Sequence, residues 1–339
     1  MTTPLTTQAT WQQSLSQAIT DPLALLQLLN LESHYSEKLK EVTQLFPLRV
    51  PHCFIDRMEK GNINDPLLRQ ILPIEAELAD HPGYTSDPVG DNAANKIPGL
   101  LQKYQGRVLL TLAGTCAVNC RYCFRRAFPY SDNNPGRAGW QKVVEAIAED
   151  SSITEVIWSG GDPLIQSDKS LASLCHLLAE IPHVKTLRIH SRLPVVLPDR
   201  ITPEFIKWFS GSRLKPVMVI HSNHSNELDH TVAEAVFKMR QAQIMVLNQS
   251  VLLKGINDTA EILIQLSKRL FEIDVLPYYL HLLDKVSGSQ HFDVAKTEAL
   301  YLQKELLAAL PGYLVPRFVT EEAGALSKIA LEKKYVSHC

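Results

Sequence analysis

The sequence predicts an α/β fold, an open partial (β/α)6 barrel preceded by an N-terminal helical region. From residue 107 to about residue 310, six short apolar runs alternate with longer amphipathic ones. Strand–helix units in series imply parallel strands joined by right-handed crossovers. Polar motifs fall directly after the apolar runs, at the C-terminal strand edge where such folds place their active sites. Six units are too few for a closed eight-stranded barrel. A flat doubly wound sheet is the alternative.

Residues 8 to about 46 carry helical spacing in Trp11, Leu15 and Ile19, then Leu25, Leu26, Leu28 and Leu29, and Pro47 and Pro51 close that region. The stretch to about residue 100 is punctuated by Asp65-Pro66, His81-Pro82-Gly83 and Asp87-Pro88, which predicts a helical and irregular layer rather than a sheet. Strands are expected at Val108–Leu112, Glu155–Trp158, Thr186–His190, Pro216–His221, Ile244–Asn248 and Ile273–Tyr279. Helical patterns include Gln141–Glu149, Leu171–Glu180, Thr231–Gln241, Ala260–Phe271 and Thr297–Leu310. The organisation expected is an N-terminal region at 1–100, a barrel at 101–312 and a short C-terminal segment at 313–339.

A formal net charge of −2 offers no basic stripe for nucleic acid. No apolar run approaches the ~18 residues of a membrane span, and the polar start Met1-Thr2-Thr3-Pro4 predicts no secretory signal. Cys53, Cys175 and Cys339 lie far apart and suggest no disulfide framework. A reducing cytoplasm is the expected compartment.

Cys116, Cys120 and Cys123 stand in Cys-Ala-Val-Asn-Cys-Arg-Tyr-Cys, a Cys-x3-Cys-x2-Cys spacing that directly follows an apolar run. Three close thiolates suit a soft metal centre. A structural zinc site wants four ligands, whereas a [4Fe–4S] cluster on three cysteines leaves one iron open to an exogenous ligand. A zinc knuckle with a distant fourth ligand and three ordinary buried cysteines are the competing readings. The segment resembles the cluster loop of radical S-adenosylmethionine (SAM) enzymes, including the aromatic residue before the last cysteine. Ser159-Gly160-Gly161-Asp162-Pro163 is similar to the segment that meets the methionine amino group of SAM in those enzymes. Paired glycines let a backbone come close to a ligand.

Further segments resemble lysine 2,3-aminomutases: Arg188-Ile189-His190-Ser191-Arg192, His221-Ser222-Asn223-His224, Asn248-Gln249-Ser250 with the residues to Asp258, and Pro277-Tyr278-Tyr279-Leu280-His281-Leu282-Leu283-Asp284. The similarity runs from about residue 50 to Lys328. It implies radical SAM chemistry joined to pyridoxal 5′-phosphate (PLP), and conversion of L-lysine to β-lysine. It is greatest to the short branch that makes (R)-β-lysine for elongation factor P and its lysyl-ligase, since the sequence stops soon after Lys328.

The resemblance implies that Lys328 is the Schiff-base lysine, and that Lys103, Tyr104 and Arg107 hold the phosphate. Ser159, Gly160, Gly161, Asp162 and Gln249 would contact the cofactors. Arg125 would take the substrate carboxylate, and Asp284 and Glu321 the distal ammonium. The sequence departs from the family in three of these places. Lys103 replaces Arg and loses the bidentate fork. Glu321 replaces Asp, and Ile329-Ala330 follows Lys328 in place of Thr-Pro. The clustered zinc-binding cysteines of the longer enzymes have no counterpart here, which leaves homo-oligomerisation open. His190, His221, His224 and His281 form no compact metal motif, and His281 takes a tyrosine-like position of the longer enzymes.

Three rival functions stay open. An aminomutase for glutamate or another amino acid is opposed by the acidic Asp284 and Glu321. A radical enzyme without PLP is kept open by the altered surroundings of Lys328, whereas an idle homologue that binds elongation factor P is opposed by the three intact cysteines and Gly160-Gly161.

Overall fold

Among the described residues, 10–133 and 136–331 of a computed structural model, ten strands lie in sequence order in one sheet. They are β1 (Asn95–Ile97), β2 (Leu100–Tyr104), β3 (Arg107–Ala113), β4 (Glu155–Gly160), β5 (Thr186–Ser191), β6 (Lys215–Ile220), β7 (Met245–Val251), β8 (Leu276–His281), β9 (Arg317–Thr320) and β10 (Ile329–Ala330). From β3 to β9 every neighbouring pair is parallel, while β1–β2, β2–β3 and β9–β10 are antiparallel. The row is open, with β1 and β10 at its two ends.

All six expected strands are present, and a seventh parallel strand, β9, follows them and carries the sheet past residue 312. Arg317-Phe318-Val319-Thr320 has only two apolar residues, too few to stand out as a run. A second difference lies near residue 100. The expected sheet-free layer ends in the β1–β2 hairpin, whose turn at Gly99 needs the left-handed φ of +85°. Leu100 and Leu101 are buried by its pairing with β3.

Strand alternation decides which side chains face the barrel interior. Val156 and Trp158, Leu187 and Ile189, and Met218 and Ile220 point outward into the main core against the helices. The intervening Ile157 and Ser159, Arg188 and His190, Val219, Gln249 and Val251, and Tyr279 and His281 line one internal cavity.

The crossover helices start where the sequence supplies a cap. Ser167, Thr202, Asp229 and Thr259 each accept a first-turn backbone N–H of Asp168–Ala179, Pro203–Ser210, His230–Gln241 and Ala260–Glu272 respectively. Each cap contributes about 1 kcal/mol. Pro203–Ser210 is a crossover helix that the hydrophobic pattern alone does not announce. It stays because Phe205, Trp208 and Phe209 stack on one another and on Trp158, with centroids 5.3–5.7 Å apart. Such aromatic pairs add about 0.5–1.5 kcal/mol each beyond area burial.

The N-terminal helices Trp11–Ser16, Pro22–Leu28 and Lys38–Leu45 pack Trp11, Leu25, Leu26 and Leu39 into the same core. No described helix is long and apolar enough to cross a membrane.

Candidate functional site

The loop after β3 carries Cys116, Cys120 and Cys123 to the mouth of a cavity of about 300 Å³. The N-terminal layer clamps this loop. Arg121 turns away from the cavity and binds Glu77 at 2.6 and 2.9 Å and the Phe46 carbonyl at 2.7 Å. Its backbone N–H donates to the Gln70 carbonyl at 2.9 Å, and Arg126 reaches the same Glu77 at 2.8 Å. Two cations thus share one buried carboxylate, and all three cysteines are left facing inward.

Burial pushes the Cys123 thiol up to about 11 and Cys116 well above its ordinary range, with the neighbouring thiols adding to both. Metal loading would therefore release protons. Among the described residues, no three His, Cys, Asp or Glu side chains meet closely enough to share a single ion.

β4 delivers Ser159, Gly160 and Gly161 beside this loop. A Cβ on Gly161 would lie 2.3 Å from the Thr115 carbonyl oxygen, and one on Gly160 would lie 3.0 Å from that of Ala113. The paired glycines are therefore required by close passage of the cysteine loop over β4, a stronger reason than approach to a ligand. The Asp162 carboxylate is occupied as well: it accepts from the Leu164, Arg192 and Leu193 backbone N–H groups and from Ser191 Oγ. Asp162 ties the β4 loop to the β5 loop, although it also lines the cavity.

The opposite wall holds a charge cluster. From the β2–β3 hairpin, Lys103 Nζ contacts Asp91 at 2.5 Å, Glu321 Oε1 at 3.0 Å and the Val89 carbonyl at 2.9 Å. Lys328 Nζ donates to Glu321 Oε2 at 2.6 Å and lies 5.8 Å from the Tyr279 ring centre. Arg125 donates through Nε to Asp91 at 2.6 Å and through Nη1 to Ser159 Oγ at 3.2 Å. Arg107 stacks on Tyr104, whose hydroxyl is pushed up to about 12 by burial and the nearby Glu321 charge.

The two acids on this wall differ sharply. Burial would raise Glu321, but Lys328 and Lys103 overcome it and hold the carboxyl down at about 2. Asp284 has no ion-pair partner within 4.0 Å among the described residues. Burial and the Glu321 charge raise it to about 7, against the opposing pull of Lys328 and Lys103.

Among the described residues, five buried polar atoms that belong to cavity-lining residues and make no ion pair lack a hydrogen-bond partner: Arg188 Nε, His190 Nε2, Arg192 Nε, Gln249 Oε1 and His281 Nε2. Buried polar groups are almost always hydrogen-bonded, so these mark a cavity built for a polar ligand. Burial keeps both imidazoles neutral, with His281 lowered to about 3 and His190 well below its ordinary range. His221 also lines the cavity and meets the Tyr122 hydroxyl at 2.8 Å, whereas His224 lies outside it, its Nδ1 accepting the Asn226 N–H at 3.2 Å.

Every residue assigned from the sequence to cluster, cofactor or substrate lines this one cavity, the three cysteines and Lys328 included. Asp91 and Arg192 have no such assignment. Asp91 follows Gly90 in a turn-like stretch with nothing to mark it, and only the fold shows it bridging Lys103 and Arg125. Arg192 lies within a motif that resembles the family, but no chemistry in the sequence points to it.

A family described as "4Fe-4S single cluster domain" matches residues 104–189. A solved structure described as "Native anSMEcpe with bound AdoMet" is 13% identical, covers 59% of this chain and 59% of its own, and has a TM-score of 0.45. L-lysine 2,3-aminomutase of Clostridium subterminale is 31% identical over 96% of this chain and 78% of its own length. L-lysine 2,3-aminomutase of Escherichia coli (strain K12) is 48% identical over 95% of this chain and 94% of its own length. With identity of that degree over nearly its whole length, the chain belongs to the L-lysine 2,3-aminomutase family.

Proposed function

We propose that this protein is an isomerase that moves the α-amino group of L-lysine to Cβ, giving β-lysine, the R form by resemblance. The observation that carries the reading is the meeting of the cysteine loop, Lys328 and Asp284, an acid unpaired among the described residues, around one cavity. When bound, a [4Fe–4S] cluster with SAM supplies a hydrogen-abstracting radical, and PLP supplies electron delocalisation for nitrogen transfer.

The residues present fit these groups. Cys116, Cys120 and Cys123 would hold the cluster, and Ser159, the Gly160–Gly161 backbone and Gln249 would face SAM. Asp162 would act by fixing that loop. Lys328 would carry PLP, with Lys103, Tyr104 and Arg107 toward its phosphate.

Lysine needs a cation for its carboxylate and an anion for its distal ammonium. Arg125, braced by Asp91 and Ser159, presents its remaining N–H groups to the carboxylate. Asp284 takes the ammonium. Glu321, held by both lysines, closes the same wall and contributes negative potential there. Neutral His190 and His281 offer hydrogen bonds without adding charge. The apolar share of the lining, such as Ile157, Val219 and Val251, keeps water from a reactive radical.

We further divide the chain into a supporting layer (1–100), a reaction barrel (101–312) and a C-terminal segment (313–339) that adds β9 to the barrel's sheet and brings Lys328 back to its mouth. We place the product upstream of the lysyl-ligase that modifies elongation factor P, in the cytoplasm. The Arg188–Arg192 motif and the identity to the E. coli relative, higher than that to the clostridial one, support this branch.

The test is anaerobic reconstitution with iron, sulfide and PLP, then incubation with SAM, reductant and L-lysine. Chromatography should show β-lysine. A protein loaded with both cofactors that leaves lysine unchanged would overturn the proposal.

A further inference from the structure

Arg192 begins the loop after β5, its backbone N–H held by Asp162 at 2.8 Å. Its side chain runs inward beneath the cysteine loop. Nη1 donates to Cys120 Sγ at 2.7 Å, and Nη2 donates to Gln70 Oε1 at 2.7 Å and Glu227 Oε2 at 3.1 Å. The Tyr122 and Phe54 rings flank the guanidinium at 5.9 and 5.4 Å.

The counter-ion is equally fixed. Glu227 is fully buried, and its Oε1 accepts from Gln70 Nε2 at 3.0 Å, the Asn223 N–H at 2.8 Å and the His224 N–H at 3.1 Å. A cation needed only to neutralise Glu227 has no reason to extend its far N–H to a sulfur. This one is aimed at one cysteine of the three, from a low-dielectric setting where charge acts strongly.

We propose that Arg192 is a positioning residue for the cluster, donating to the Cys120 sulfur and favouring the reduced, more negative cluster, with Glu227 as the opposing charge that sets the size of the effect. Net charge and hydrogen bonds to the sulfurs are the levers by which a protein sets a cluster's potential. The inference rests on the reading of the three cysteines as cluster ligands.

Redox titration of the reconstituted protein, followed by electron paramagnetic resonance, tests it. Arg192→Gln should lower the equilibrium constant for cluster reduction about tenfold, which is about 59 mV for one electron. Arg192→Lys should recover part of that loss, and Glu227→Gln should shift the potential upward. Removal of Arg192 alone strands a buried carboxylate and endangers the fold. The double variant Arg192→Gln/Glu227→Gln avoids this and should show a smaller downward shift, because the guanidinium lies nearer the cluster than its counter-ion.

A purely structural role predicts iron loss in Arg192→Gln and Glu227→Gln alike, with any remaining cluster at the wild-type potential. That result, or an unshifted double variant, would overturn the inference while the wild-type cluster stands. A wild-type protein that binds no iron would instead overturn the cluster reading, and this inference with it.

Discussion

Asp284→Asn separates the lysine reading from its rivals, because the same carboxylate should weaken the empty protein and serve the loaded one. Its pKa rises from 3.8 to about 7, through burial first and the Glu321 charge second. A shift of that size corresponds to about 4 kcal/mol between its charged and neutral forms. The folded state keeps this proton up to about pH 7, whereas the unfolded chain releases it near 3.8. The folded form therefore binds more protons across that interval, and stability falls as pH rises through it. Asp284→Asn removes the strain. It should leave melting unchanged near pH 4 and stabilise the ligand-free protein above pH 7, by at most about 4 kcal/mol.

Lysine reverses the sign. Its distal ammonium supplies the partner that Asp284 lacks, and breaking such a buried pair costs about 3–5 kcal/mol, or roughly 150- to 5,000-fold in kcat/KM. Norleucine, which has the same carbon skeleton and no distal ammonium, should lose much less. For the loaded wild type, kcat/KM for lysine should fall toward acid pH as the buried Asp284 carboxyl takes up a proton, and norleucine should lack that limb. Melting curves at the two pH values and anaerobic turnover of both substrates give the answer. Equal losses for lysine and norleucine, or no stabilisation above pH 7, would refute the reasoning.

Two other expectations test the remaining walls. In Lys328→Ala, borohydride should no longer fix PLP to the chain while iron content stays normal; peptide mapping checks this. An adduct on Lys103, which contacts the same Glu321 at 3.0 Å, would move the Schiff base to that residue. Gly161→Ala puts a methyl 2.3 Å from the Thr115 carbonyl oxygen, so the cysteine loop must shift. The expected cost is about 1–3 kcal/mol of stability together with a clear drop in bound iron. Unchanged melting and full iron loading would show that the glycine is dispensable.

The sequence by itself determined six of the parallel strands and most of the helices between them, because apolar runs and period-3.6 patterns are local properties; it did not announce the β1–β2 hairpin, β9 or the helix Pro203–Ser210. It also marked the cysteine loop as a candidate soft-metal centre, since Cys116, Cys120 and Cys123 lie within eight residues, and the resemblance favoured a cluster over zinc. Resemblance added Lys328, Arg125 and Asp284, which no spacing connects. Only the tertiary structure decided how these groups spend their charge. Glu321 pairs with Lys103 and Lys328 while Asp284 has no counter-ion among the described residues, because β2, β8, β9 and the turn before β10 meet at one barrel mouth. The same convergence turned Asp91 into a bridge and Arg192 into a donor to Cys120. It also showed that Gly161 yields to a neighbouring backbone. Burial and partnership depend on residues far apart in the chain, so a local pattern carries no record of them.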